Sequence, residues 1–201
     1  MDAPSPLAIR AWKAWRARGT RYAWHKAMRR SLGRWPSWKR RLLYADPREY
    51  WTLRGGDEYF REQEGQAGRE ARSDWIARRV ASYGPSSILE VGCGYGKQLR
   101  KLRQALPACR IAGVDFSPSQ LALGRRYLGD GGSPRILLAL ADGSRLPFAD
   151  HSFDLVLTSA VILHNAPEVA DQIRQEVIRV TRRWAAHNED TDVSYNRFGY
   201  D

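Results

Sequence analysis

From residue 87 onward the chain alternates short apolar runs with longer stretches in which apolar residues recur every three or four positions. That is the pattern of buried strands alternating with amphipathic helices. Ile88, Leu89 and Val91 read as a first, parallel strand, and Leu99, Leu102 and Leu106 mark one side of a helix that begins near Gly96. Ile111 to Asp115 reads as a second strand, Ile136 to Ala141 as a third and Phe153 to Leu157 as a fourth. Pro167 to Arg183 follows as a helix with Val169, Ile173, Val177 and Val180 on one stripe. Upstream, Glu58 to Tyr83 reads as one polar helix despite Gly65 and Gly68, with Trp75, Ile76, Ala77 and Val80 as its core contacts. Gly84-Pro85 stops it just before the first strand.

The first residues carry a different pattern. On a 100° wheel, Leu7, Ala8, Ala11, Trp12, Trp15, Tyr22 and Ala23 gather opposite Arg10, Lys13, Arg16 and Arg21, an amphipathic helix preceded by Pro4 and Pro6 and ended by Gly33 and Pro36. Residues 1–48 hold 13 Lys or Arg against Asp2 and Asp46, and the remainder balances at 20 against 20, so the whole formal charge of +11 belongs to this extension. It also holds five of the eight tryptophans. Three regions follow: a basic, Trp-rich helical arm over 1–48, a connecting segment and helix over 49–86, and an α/β core over 87–201.

Arginines opposite a Trp-bearing face suit a membrane surface. The same residues can contact phosphates and stack on unpaired bases. A third reading packs the helix on the core with its arginines solvated. All three stay open for residues 7–44. No run approaches the ~20 apolar residues that span a bilayer, and no secretory leader is visible. Cys93 and Cys109 suggest neither a disulfide framework nor a metal site, so a cytoplasmic protein, peripheral at a membrane surface if the arm binds lipid, is expected.

The densest chemical signal is Glu90-Val91-Gly92-Cys93-Gly94-Tyr95-Gly96, a carboxylate followed by three alternating glycines at a strand-to-helix turn. Glycines there let the backbone turn tightly and approach a ligand. A phosphate-binding P-loop would need glycine where Val91 stands and Ser or Thr where Gln98 stands. The dinucleotide fingerprint would need glycine at Lys97 or Leu99. A carboxylate at the strand's end suits a cationic, amine-bearing ligand better than a pyrophosphate.

These residues resemble the first motif of the class I S-adenosylmethionine-dependent methyltransferases, acidic-x-Gly-x-Gly-x-Gly. The resemblance runs from about Ser87 to Asp190 and implies a Rossmann-like α/β fold, a mostly parallel sheet with helices on both faces, and S-adenosyl-L-methionine as cofactor. It places Glu90, Gly92, Gly94 and Gly96 beside the methionine end and Asp115 on the ribose hydroxyls. Phe116 would lie along the adenine and Asp142-Gly143 by its exocyclic amine, with the backbone near Ser159 and Ala160 again at the methionine end. Ser117-Pro118 reads independently as a helix start.

After the fourth strand the chain departs from the family. The usual Lys-Pro-Gly-Gly turn is replaced by Thr181-Arg182-Arg183-Trp184, and too few residues follow Asp190 for a sixth and seventh strand. The sheet is therefore expected to be cut short after its fifth strand, or its edge covered by another chain. For a hydroxyl acceptor a base is needed; His164, after the fourth strand, is the leading candidate, and His187, Glu189 and Asp190 at the carboxyl end of the fifth strand are placed to face the acceptor as well. Tyr50, Arg54 and Tyr59 are candidates for a lid. The function expected is methyl transfer to a small-molecule or lipid-linked acceptor. The alternatives are an RNA-associated methyltransferase that uses the basic arm, and a fragment that binds cofactor without catalysis.

Overall fold

A computed structural model describes residues 15–16, 19–28, 46–129 and 136–189. Most of the arm and residues 190–201 lie outside the described set, as do the expectations that fall on them. The chain divides into two compact units between Leu53 and Arg54. In the first, residues 19–28 are helical, and α1 (Pro47–Arg54) lies in it up to Leu53. Tyr22 and Tyr50 are buried, Arg21 pairs with Glu49, and the His25 and Tyr50 rings lie 6.4 Å apart. Trp15, assigned to the apolar side of the arm, is 52% exposed.

The second unit follows the expected alternation. Its order is α2 (Asp57–Gln63), α3 (Ala67–Ala81), β1 (Ser87–Val91), α4 (Lys97–Ala105), β2 (Arg110–Asp115), α5 (Pro118–Leu128), β3 (Leu137–Leu140), β4 (Phe153–Ser159), a short 3₁₀ turn (Ile162–His164), α6 (Pro167–Val180) and β5 (Thr181–Asn188). The five strands are parallel in the order β3-β2-β1-β4-β5. Strand order reverses between β1 and β4, so the crevice for a ligand opens at their carboxyl ends.

Alternation along β1 divides the core. Ile88 joins Leu155, Leu157, Ile111, Leu99, Leu102 and Val80 on one face, whereas Leu89 and Val91 join Val156, Val114, Ile173, Val177 and Val180 on the other. All five residues of β1 are buried, as a central parallel strand covered on both faces requires.

Four details differ from the sequence pattern. The single helix expected over Glu58 to Tyr83 is two, broken at Gly65, whose φ of 76° is a left-handed conformation that glycine adopts freely. Trp75, expected in the core, is 57% exposed, because Ile76, Ala77 and Val80 already fill the inward side of α3 and Trp75 falls a helical step around from them. Helix α6 ends at Val180 rather than Arg183, and Ala170 takes the buried place expected for exposed Val169. Thr181 caps α6 by donating its hydroxyl to the Val177 carbonyl at 2.6 Å while pairing with Phe153 as the first residue of β5. The chain thus passes from helix to strand with no glycine turn between them.

Candidate functional site

The glycine loop leaves β1 with three left-handed glycines, Gly92 at φ 71°, Gly94 at 56° and Gly96 at 87°. Gly92 has no room for a side chain, since an added Cβ would sit 2.4 Å from a Val161 methyl. Gly94 is open among the described residues, where Gln120 Nε2 stands 4.0 Å from the same hypothetical atom. Gly96 is the N-cap of α4.

Asp115, at the end of β2, ties this loop to the next helix. Its Oδ2 accepts the Gly94 N–H and its Oδ1 the Ser117 N–H, both at 2.8 Å. Ser117 caps α5 through the Gln120 N–H, with Pro118 at the first helical position as expected. Glu90 is 4% exposed, and its Oε2 is buried with no hydrogen-bond partner among the described residues. Burial first, and then the Asp115 charge, push the Glu90 carboxyl well above the ordinary range. Burial also raises Asp115, opposed by the two N–H groups it accepts. The Cys93 thiol between them is raised by burial and then by both carboxylates, which keeps it protonated.

Phe116 is half-buried between Asp115 and Ser117. Asp142 follows β3, where the Ala141 N–H donates to the Asp115 carbonyl at 3.2 Å, and its Oδ1 accepts the Ser144 N–H at 3.0 Å. Gly143 packs against the core, since an added Cβ would meet Val91 Cγ1 at 2.9 Å. Ser159 ends β4, its Oγ 2.9 Å from the Asn188 amide. The carboxyl ends of β1, β2, β3 and β4 therefore bring Glu90, the glycines, Asp115, Phe116, Asp142, Gly143 and Ser159 to one end of the sheet.

The two candidate bases occupy different elements. His164 closes the 3₁₀ turn after β4 and is half-buried. His187 lies on β5 opposite Thr158, and its Nδ1 is 2.9 Å from the Thr158 hydroxyl. Desolvation lowers its pKa from the ordinary imidazole value; Arg174 adds to this and Glu189 opposes it. The neutral ring, the form that can accept a proton, is thereby favoured.

The sequence pattern missed a buttress behind the glycine loop. Tyr95 sits between two loop glycines, its ring edge-to-face with Phe60 at 5.0 Å and Tyr127 at 5.2 Å, and donates its hydroxyl to Glu64 Oε1 at 2.8 Å. Lys97 pairs with Glu70 at 2.5 Å, and Lys101 with Glu70 and Asp74 at 3.1 and 2.9 Å. Arg54 and Tyr59, the described lid candidates of this unit, join the same front: the guanidinium lies 5.2 Å from the Tyr59 ring centre, and that ring 6.4 Å from Tyr95. Only the left-handed break at Gly65, which lets α2 and α3 approach the loop separately, signals this arrangement in the sequence.

A five-stranded parallel sheet with a carboxylate-flanked glycine turn at its switch point defines a Rossmann-like α/β domain among the described residues. Residues 88–183 match the family model described as methyltransferase domain, which supports the resemblance to the class I, S-adenosylmethionine-dependent methyltransferases. The chain is 33% identical over 114 residues to methyltransferase GfsG of Streptomyces halstedii, covering 56% of this chain and 40% of that protein. It is 32% identical over 112 residues to a demethylmenaquinone methyltransferase of Halalkalibacterium halodurans, covering 55% and 44%. The chain thus spans less than half the length of these relatives. The crystal structure of PH0226 protein from Pyrococcus horikoshii OT3 shares the fold, with a TM-score of 0.53 and 24% identity over 64% of this chain and 58% of that one.

Proposed function

We propose that the chain binds S-adenosyl-L-methionine at the carboxyl ends of β1 to β4 and directs its methyl group to a small-molecule or lipid-linked acceptor. The pair of buried carboxylates, Glu90 and Asp115, beside an open left-handed glycine carries this reading. A buried carboxyl oxygen with no partner among the described residues calls for a cationic or hydroxyl-bearing group, and S-adenosylmethionine brings an ammonium, a sulfonium and a ribose diol. A pyrophosphate would meet repulsion at the same place.

In this reading Asp115 holds the ribose hydroxyls, with its carboxylate already oriented by Gly94 and Ser117. Phe116 covers the adenine, and Asp142 and Gly143 line its amine edge. Glu90 acts on the methionine end through the loop, and Ser159 borders that end from β4. The bound cofactor supplies an electrophilic methyl group whose departure leaves a neutral thioether. The chain's own work is mainly to hold donor and acceptor at attack distance. Where the acceptor is a hydroxyl, His187 takes its proton, with His164 as the other candidate.

The name of the demethylmenaquinone methyltransferase relative favours a quinone-type acceptor. Calorimetry with S-adenosylmethionine and S-adenosylhomocysteine tests the cofactor site, and mass spectrometry of a short-chain demethylmenaquinol incubated with cofactor tests the acceptor. Folded protein that binds neither nucleoside would reject the reading. Binding without transfer to any quinol or phenol would keep the site and reject the acceptor class.

A further inference from the structure

Glu189 lies one residue beyond β5, yet its carboxylate belongs to the turn that leaves β4. The Val161 N–H donates to Oε1 and Oε2 at 3.2 and 3.0 Å, and the Leu163 N–H donates to Oε2 at 3.3 Å. The backbone between the strand and these donors is strained: Ala160 has φ 55°, a left-handed conformation that L-residues rarely adopt. Such a conformation persists only where the surroundings over-determine it. Three fastenings do so here. The Ala160 N–H donates to the Asn188 carbonyl at 3.1 Å, the Asn165 amide donates to the Val161 carbonyl at 2.8 Å, and Glu189 accepts from the Val161 and Leu163 N–H groups.

The turn matters because of what Val161 touches. Its methyls fill the space beside Gly92, 2.4 Å from where a Cβ would stand. A continuous path of contacts therefore runs from the Glu189 carboxylate through the Val161 backbone to the first glycine of the loop. With both oxygens committed to backbone donors, Glu189 is poorly placed to act as a base.

We propose that Glu189 is a positioning residue whose carboxylate fixes the turn at residues 160–163 and thereby sets the wall that Val161 presents to the methionine end of the cofactor. The proposal rests on the cofactor reading above. It requires charge as well as shape, since hydrogen bonds to a carboxylate are about twice as strong as those to a neutral oxygen.

The test compares two ligands that share the adenosine half, S-adenosylhomocysteine and methylthioadenosine, the second lacking the amino-acid end. Glu189→Ala is expected to weaken S-adenosylhomocysteine about tenfold, the scale of one hydrogen bond to a charged group, and to leave methylthioadenosine within about twofold. Glu189→Gln, which keeps one carbonyl oxygen, should recover part of the loss. In ligand-free protein, amide exchange at Val161 and Leu163 should accelerate in the alanine variant. Equal weakening of both ligands, or unchanged affinity and exchange, would overturn the positioning role. If wild-type protein binds neither ligand, the cofactor reading fails and takes the role with it, whereas the exchange experiment still reports whether Glu189 holds the turn.

Discussion

The Gly94 N–H donates to the Asp115 carboxylate at 2.8 Å, so the last residue of β2 holds the middle of the loop that leaves β1. One side chain thereby serves both the shape of the glycine loop and the proposed ribose contact. Replacing Asp115 by Ala should weaken S-adenosylhomocysteine by about 1.5–3 kcal/mol, the value of hydrogen bonds to a charged group, and also lower the melting temperature. Calorimetry and a thermal melt on the same sample separate the two effects. Unchanged affinity would move the ribose contact to another residue.

Glu90 should show the opposite balance between stability and binding. Burial, and then the Asp115 charge, raise its folded-state pKa, so the folded protein holds that proton to higher pH than the unfolded chain does. The stability linked to that proton is complete below the ordinary carboxylate pKa and is lost as pH rises through the folded value, with a limiting slope of about 1.4 kcal/mol per pH unit. Glu90→Gln lacks this loss. It should melt higher than wild type in ligand-free form by a margin that widens with pH from acid toward neutrality, and it should bind the cationic cofactor more weakly. A margin that narrows over that range would contradict the buried carboxyl.

Two glycines of one motif should differ in kind. Gly92→Ala drives a methyl into Val161 and should cost both folding and binding. Gly94→Ala, facing open space at φ 56°, should cost only about 1–2 kcal/mol of stability for its left-handed backbone while removing most cofactor affinity. Denaturant melts beside binding isotherms decide this, and wild-type affinity in Gly94→Ala would show that the space beside Gly94 is not used by the ligand.

Away from the site, Asp154 fastens the amino-terminal end of the sheet. It accepts from the Ser86 N–H at 3.0 Å, from the Ser86 hydroxyl and from Arg182 at 2.9 Å; the Ser86 hydroxyl, followed by the Ser86 N–H and Arg182, lowers its pKa to about 2. A depressed carboxylate stabilises above its unfolded pKa, and that stability is lost as pH falls from about 4 through about 2. Asp154→Asn should therefore melt lower than wild type at neutral pH without changing cofactor affinity, and the gap should close in acid.

The strands, their order along the chain and the glycine loop were legible because they depend on local pattern: apolar runs for a doubly covered sheet, and glycines where the backbone turns left-handed. Asp115 was legible for the same reason, standing at the end of such a run. Contacts across the chain were not. Tyr95 meeting Glu64, Glu189 reaching Val161 and Val161 filling the space beside Gly92 join residues far apart in sequence, and no periodicity encodes them. The break at Gly65 shows the boundary between the two cases. Propensity allowed the helix to continue, and packing of separate helices beside the loop decided that it should not.

His187 offers the sharpest test of acceptor chemistry. Its Nδ1 engages the Thr158 hydroxyl, a fully buried side chain on β4, and this fixes the ring at the carboxyl ends of β4 and β5. Desolvation lowers its pKa, so the neutral ring predominates at physiological pH and loses its capacity as a base only below the ordinary imidazole range. If His187 removes a hydroxyl proton, kcat/KM should fall on an acid limb set by this lowered pKa, and His187→Ala should reduce kcat by about 10²- to 10⁴-fold, the usual contribution of general base catalysis. The affinity for S-adenosylhomocysteine should stay within a few-fold, because the residues proposed to hold the cofactor lie on β1 to β4. Thr158→Val, which removes the hydroxyl partner but keeps the shape, should produce a smaller loss of kcat with a shifted acid limb. A His187 variant with wild-type kcat and an unaltered pH profile would transfer the proton step to His164, whose own alanine variant should then show the loss.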